Sequence, residues 1–216
     1  MPVCGHKVYF SYRHILLRMK GKFIVIEGID GSGKTTLVRR LVDKIGNAVP
    51  TFEPTNGQIG SILRSGSLGN VPPAAEALLF AADRAIHTEE IKKILDSGRW
   101  VICDRYLGST VAYQSAALGE EADTDWLLDI QKRSVIRPDA TFLLDLDPEV
   151  SMGRVGSRGE ELSRFEKTDY LKKVRSAYLE LAKTLDYHII DAEQGPDTVY
   201  GAVLEILEKK GLYASV

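Results

Sequence analysis

The chain has 216 residues, 44% of them hydrophobic and 27% charged, enough to bury the core of one ordinary globular domain but not of two. A net charge of −2 and an isoelectric point near 6.1 give no basic field of the kind that gathers a nucleic acid polymer or an anionic membrane. No apolar run approaches the roughly 20 residues that cross a bilayer, and the two cysteines, Cys4 and Cys103, form no CxxC pair, so neither a disulfide framework nor a zinc site is expected. A cytoplasmic protein is the reading that follows.

The first 20 residues hold several basic residues and no acid, and Met19 stands four residues before the first apolar run. We therefore expect 1–20 to be an extension, disordered or reached from a misplaced start codon, and 21–216 to be the domain. There the pattern alternates: FIVIE (23–27), a helix from Lys34 toward Ile45, AVPTF (48–52), a long helix through EALLFAADRAIHTEEIKKILDSG ending at Gly98, WVICD (100–104), a helix over 106–118, TFLLD (141–145) and YHIID (187–191). Short β-branched runs separated by helices predict an α/β protein with a five-stranded, parallel, doubly wound sheet. Ligands of such sheets collect at the carboxyl ends of the strands.

Behind the first strand stands GIDGSGKTT (28–36), which satisfies the phosphate-loop spacing and has the strand before it and the helix after it that the motif needs. Gly28, Gly31 and Gly33 let backbone N–H groups turn in around a phosphate, with Ile29, Asp30, Ser32 and Thr36 completing the ATP cradle. Lys34 should reach the β- and γ-phosphates and Thr35 should ligate Mg²⁺. The loop identifies a nucleoside triphosphate site and no more. Asp104, at the end of an apolar strand, can serve as the carboxylate near the metal, and Arg105 after it suggests a second phosphate.

Thr110, Tyr113 and Gln114 share one helical face, and Phe80, Arg84 and His87 another. A phenylalanine can stack on a base, and a guanidinium one turn along suits a carbonyl-bearing base. The segment GRVGSRGEELSRFEK, at 153–167, interleaves Arg154, Arg158 and Arg164 with glycines and acids, as a lid closing over a triphosphate would, at about 154–166.

In order, FIVIEGIDGSGKTT, FEP with IGSILRS, LLFAADR, DRYLGSTVAYQ, RPDATFLLD, SRGEELSRFE and YLELA resemble the thymidylate kinase family from about Lys22 to the C-terminus. That resemblance implies the P-loop nucleoside monophosphate kinase fold, phosphorylation of dTMP to dTDP by ATP with Mg²⁺, and a homodimer. By position, Phe80 looks like the base-stacking residue, Arg84 the donor to thymine O4, and Arg105 the grip on the acceptor phosphate, with Arg64 a second candidate. Tyr113 looks like the residue under the deoxyribose, Thr110 and Gln114 line the base side, and Asp30 sits near sugar and acceptor. Some members carry a catalytic arginine where this chain has Gly31, so the charge falls to the lid, Arg158 first. Many relatives read REPGG where this chain reads FEPTN (52–56), retaining Glu53 on the acceptor side but lacking the arginine and the diglycine. A kinase for another pyrimidine monophosphate, dUMP or CMP, and a nucleotide-dependent switch ATPase are the alternative readings.

Overall fold

The computed structural model describes residues 21–214 apart from Leu68, Asn70 and 157–160, and not the side chains of 161–166. The chain runs β1 (Phe23–Glu27), α1 (Lys34–Ile45), β2 (Ala48–Phe52), α2 (Gln58–Ser65), α3 (Pro73–Asp96), β3 (Trp100–Asp104) and α4 (Leu107–Leu118). It continues through α5 (Thr124–Asp129), β4 (Ala140–Asp145), α6 (Pro148–Val155), α7 (Glu161–Thr184), β5 (His188–Asp191) and α8 (Pro196–Lys209). The expected extension, 1–20, lies outside the described residues.

The sheet has the order β2-β3-β1-β4-β5, and every adjacent pair is parallel. Because β1 is central and covered on both faces, all of FIVIE is buried. That is why the strand reads as an unbroken apolar run rather than an alternating one. Its alternate side chains enter two cores: Ile24 and Ile26 pack with Leu37, Leu41, Phe142 and Val203, while Phe23 and Val25 pack with Ile91, Val101 and Tyr106. From β1 the chain passes through α1 to the edge strand β2, returns to β3 beside β1, and then crosses to β4 on the other side of β1, so the topology reverses direction at β1, where the loop from Gly28 begins.

Element limits differ from the pattern reading in several places: α3 already starts at Pro73 and β4 at Ala140, and three other limits have a visible backbone cause. The long helix stops at Asp96, with Ser97 as its cap and Gly98 at φ 82°, since the left-handed turn that Gly98 permits ends the helix before it. The helix after β3 begins at Leu107 rather than 106, because Tyr106 is in neither helical nor extended geometry and Arg105 is left-handed at φ 69°. The last strand starts at His188, after a left-handed Asp186. Among the described residues no helix is long and apolar enough to cross a membrane.

Candidate active site

The phosphate loop is forced by close packing as much as by glycine's freedom. At Gly28, φ 142°, a Cβ would stand 2.7 Å from the Leu144 carbonyl oxygen, which no side chain could tolerate. At Gly31, φ 72°, it would meet the Ser151 carbonyl oxygen and Val155 Cγ2, both at 3.2 Å, because α6 lies directly on the loop. A side chain at this position would be strained by the left-handed backbone and would have to push these neighbours back by a few tenths of an ångström. Ser151 fixes that packing by donating from Oγ to the Asp30 carbonyl at 2.6 Å.

Helix α1 begins at Gly33 with no side-chain cap, so its first N–H groups and its positive dipole end are left to an anion. Lys34 is buried and its Nζ donates to the Ile29 carbonyl at 2.8 Å. Burial pushes its ammonium down to about 8, assisted by the charge of Arg105 and opposed by Asp104, Asp30 and Glu27. Beside it the Thr35 hydroxyl donates to Asp104 Oδ2 at 2.7 Å. The other oxygen, Asp104 Oδ1, and Ser32 Oγ are buried without a partner, which is costly unless a ligand satisfies them. A hydroxyl and a half-satisfied carboxylate, both oxygen donors, fit a hard divalent cation such as Mg²⁺.

Arg105 turns back over the loop. Its left-handed backbone donates to the Ile26 carbonyl at 2.9 Å, its guanidinium pairs with Asp30, and its Nη1 donates to Ser109 Oγ at 3.2 Å. Beneath it lies Glu27, fully buried, accepting from the Tyr106 N–H at 3.0 Å, Ser109 Oγ at 2.6 Å and the Tyr178 hydroxyl at 3.2 Å. Burial pushes the Glu27 carboxyl up, against the pull of Ser109, of Arg105 and of the Tyr106 N–H.

A cavity of about 250 Å³ adjoins Arg105 and is lined by Glu53, Phe80, Arg84, Thr110, Tyr113 and Gln114, together with Glu76 and Tyr170. The fold thus gathers around one cavity residues of three separate segments that the sequence led us to expect on the acceptor side. Arg84 is 1% exposed. It donates from Nε to Glu53 Oε2 at 2.8 Å, from Nη2 to Thr110 Oγ1 at 2.9 Å and from Nη1 to Gln131 Oε1 at 2.6 Å, while Nη2 also lies 2.6 Å from Glu53 Oε2. His87 Nδ1 lies 2.8 Å from Glu53 Oε1, and its Nε2 lies 2.6 Å from the Thr51 hydroxyl.

Arg64 is not among the residues lining this cavity. It donates to the Pro54 and Thr55 carbonyls and to Asn56 Oδ1, and it lines a neighbouring cavity of about 510 Å³ with Thr35, Asp104 and Arg105. The FEPTN departure has its own anchor. Asp83 accepts from both the backbone N–H and the hydroxyl of Thr55, each at 2.7 Å, so the loop that lacks a diglycine is latched to α3 instead. Of the three arginines expected in a lid, Arg154 stands in the last turn of α6 and donates to the Ala192 carbonyl at 2.9 Å and to the Gly31 carbonyl at 3.4 Å. Arg158 and the Arg164 side chain lie outside the described residues.

Comparison with known proteins agrees with this geometry. The family model for thymidylate kinase matches residues 26–202. The chain belongs to the thymidylate kinase family. It is 38% identical over 197 residues to a probable thymidylate kinase of Methanosarcina acetivorans, covering 87% of this chain and 95% of that one. To a probable thymidylate kinase of Methanocaldococcus jannaschii it is 42% identical over 189 residues, 86% and 95% of the two chains. To the thymidylate kinase of Carboxydothermus hydrogenoformans it is 38% identical over 200 residues, 88% and 98%. The solved structure of thymidylate kinase from Candida albicans superposes with a TM-score of 0.76 at 28% identity, over 89% of this chain and 93% of that one. The chain is accordingly a nucleoside monophosphate kinase of P-loop fold, an ATP-dependent phosphotransferase acting on dTMP in nucleotide synthesis.

Several residues of the site escaped the sequence reading. Glu76 stands one turn before Phe80, so extending the Phe80, Arg84, His87 stripe backward by four residues reaches it. Gln131, 47 positions from Arg84, and Tyr170, on α7, belong to no local pattern that would name them.

Proposed function

We propose that the γ-phosphoryl group of ATP passes in line to the 5′-phosphate of dTMP at the junction of the phosphate loop and the acceptor cavity, giving dTDP and ADP. The observation that carries this reading is the placement of Arg105, which pairs with Asp30 of the loop and also lines the cavity, so donor and acceptor share one wall. The acceptor phosphate is already an anion and needs no protein nucleophile. Positioning and charge stabilisation therefore supply the catalysis.

Lys34 leaves the Ile29 carbonyl for the β- and γ-phosphates, which meet the open N-terminus of α1 along Gly28–Thr36. Thr35 and Asp104 would hold Mg²⁺, which when bound supplies neutralisation of the phosphate charge. Among the described residues no three His, Cys, Asp or Glu form a metal cluster, as suits a cation that shares its shell with phosphates and water. Arg105 grips the acceptor phosphate, Asp30 holds Arg105, and Arg64 borders the same region. Phe80 stacks on the base, Tyr113 packs beneath the deoxyribose, and Thr110 and Gln114 border the base. Arg84 presents its one remaining Nη1 N–H to thymine O4, the rest being spent on Glu53, Thr110 and Gln131. Arg158, with Arg154 and Arg164, stabilises the transferring group on lid closure.

Two further parts of the reading concern the whole molecule. Leu78 and Ile86 on α3 and Ile62 on α2 are exposed apolar side chains and support a homodimer formed through these helices. The slightly acidic composition supports a cytoplasmic enzyme. Lys34→Ala tests the chemistry: turnover should fall by about 10² or more with an unchanged circular dichroism spectrum, and turnover near that of the parent would refute the assignment.

A further inference from the structure

In the acceptor cavity one carboxylate takes no part in phosphate chemistry. Glu76 lies in the first turn of α3, and its Oε2 accepts from Gln114 Nε2 at 2.9 Å. Gln114 is 3% exposed. A carboxamide has one donating and one accepting side, whereas an ionised carboxylate can only accept. The contact therefore fixes the amide: its NH₂ is committed to Glu76, and its Oε1 is buried with no partner in the protein although the residue lines the cavity.

Gln114 holds this polarity against a real alternative. Turned by 180°, the amide would set its oxygen against the Glu76 carboxylate and leave an N–H₂ on the cavity side. The first arrangement suits a pyrimidine with an N–H at ring position 3, as in thymine and uracil. The second suits a ring nitrogen with a lone pair there, as in cytosine. The two orientations have the same shape, so packing does not choose between them. Only the acceptor at position 76 does.

We propose that Glu76 is a specificity-determining residue, which selects thymine over cytosine by holding Gln114 with its acceptor toward the base. It acts through Gln114 and is a positioning residue, not a group that touches the substrate. The proposal rests on the reading of this cavity as the dTMP site and deepens it. A cytosine ring would bring a lone pair against the Gln114 oxygen and an amino group against the Arg84 guanidinium, leaving buried polar groups unpaired. Sites built in this way reject the mismatched analogue by factors on the order of 10⁴.

The test uses the full-length enzyme and the ratio of kcat/KM for dTMP to that for dCMP. In Glu76→Gln the introduced amide can accept from or donate to Gln114, so the Gln114 side chain is free to turn. The ratio should fall at least about tenfold, the modest end of discrimination from one hydrogen-bond reversal, with the thermal midpoint little changed. Glu76→Asp, which keeps an accept-only group, should retain most of the parental ratio. If Glu76→Gln does not yield folded protein, Glu76→Met, which offers the amide no acceptor, replaces it with the same expectation. Gln114→Ala separates the two levels of the reading. A ratio that collapses in Gln114→Ala but stays parental in Glu76→Gln would overturn the role of Glu76 and leave the cavity assignment standing. A parental ratio in both would overturn the placement of Gln114 against the base.

Discussion

The Thr35 hydroxyl donates to Asp104 Oδ2 at 2.7 Å, tying the phosphate loop to the carboxyl end of β3 while the second carboxylate oxygen has no protein partner. Two oxygen donors, one in the first turn of α1 and one at the end of β3, are thus set side by side. Asp104→Asn removes the charge and keeps the shape. Its Mg²⁺ requirement, read as the concentration for half-maximal turnover, should rise by about 10- to 100-fold, with little change in the KM for dTMP. An unaltered Mg²⁺ requirement would contradict a metal role.

Beneath the base side, Arg84 and Glu53 form an ion pair whose side chains are 1% and 4% exposed. Removing one member leaves the other charge buried, which costs about 3–5 kcal/mol, well beyond the ~1 kcal/mol of an exposed pair. Glu53→Ala should therefore lower the urea-unfolding free energy by about that amount, and it should also strand His87 Nδ1 and loosen Arg84. Arg84→Met, which removes the charge and retains bulk, leaves the buried Glu53 carboxylate without its guanidinium; it should destabilise by a similar amount and also lose dTMP binding.

Lys34 offers a pH signature. Burial holds its free-state pKa at about 8, and the phosphates of bound ATP favour the ammonium, so the pKa rises on binding. The sign follows from linkage: above pH 8 the free enzyme must take up a proton to bind, so ATP affinity should fall as pH rises through 8, with a limiting slope of about tenfold per pH unit. Below pH 7 this dependence should vanish. Calorimetry in buffers of different ionisation enthalpy should register proton uptake near pH 9, and Lys34→Met should abolish it.

Gly108 tests the support beneath Arg105. A Cβ there would lie 2.9 Å from Glu27 Oε1, 3.1 Å from Glu27 Cδ and 3.2 Å from Tyr187 Cε2. Alanine in a helix gains about 1 kcal/mol over glycine in propensity, but overpacking against a buried carboxylate costs about 1–3 kcal/mol. We expect the clash to win: Gly108→Ala should have a lower denaturation midpoint. It should also have a raised KM for dTMP, because Ser109, which holds both Glu27 and Arg105, is displaced with its neighbour.

How far the sequence speaks for itself depends on the range of each interaction. FIVIE, WVICD and TFLLD declare buried parallel strands because both their faces are covered, and the loop Gly28–Thr35 declares a phosphate because its spacing is local. The stripe of Phe80 and Arg84 is legible at helical period. The partners of those residues are not. Arg84 meets Gln131 across 47 residues and Glu53 across 31, and nothing in a local window records such a contact. The left-handed Arg105 is likewise invisible, since it is neither glycine nor asparagine; only the Ile26 carbonyl and Asp30 that it meets account for its conformation. Asp83 passes for an ordinary helix-surface acid until Thr55 is found against it.

The central claim is that Arg105 and the cavity around Phe80, Arg84 and Gln114 receive a nucleoside monophosphate carrying thymine. ADP release from Mg·ATP, measured over dTMP, dUMP, dCMP and thymidine, tests it most directly. We predict the highest kcat/KM for dTMP, a lower value for dUMP, and little turnover of dCMP or thymidine. Preference for thymidine over dTMP, or ATP hydrolysis indifferent to any of the four, would contradict the account.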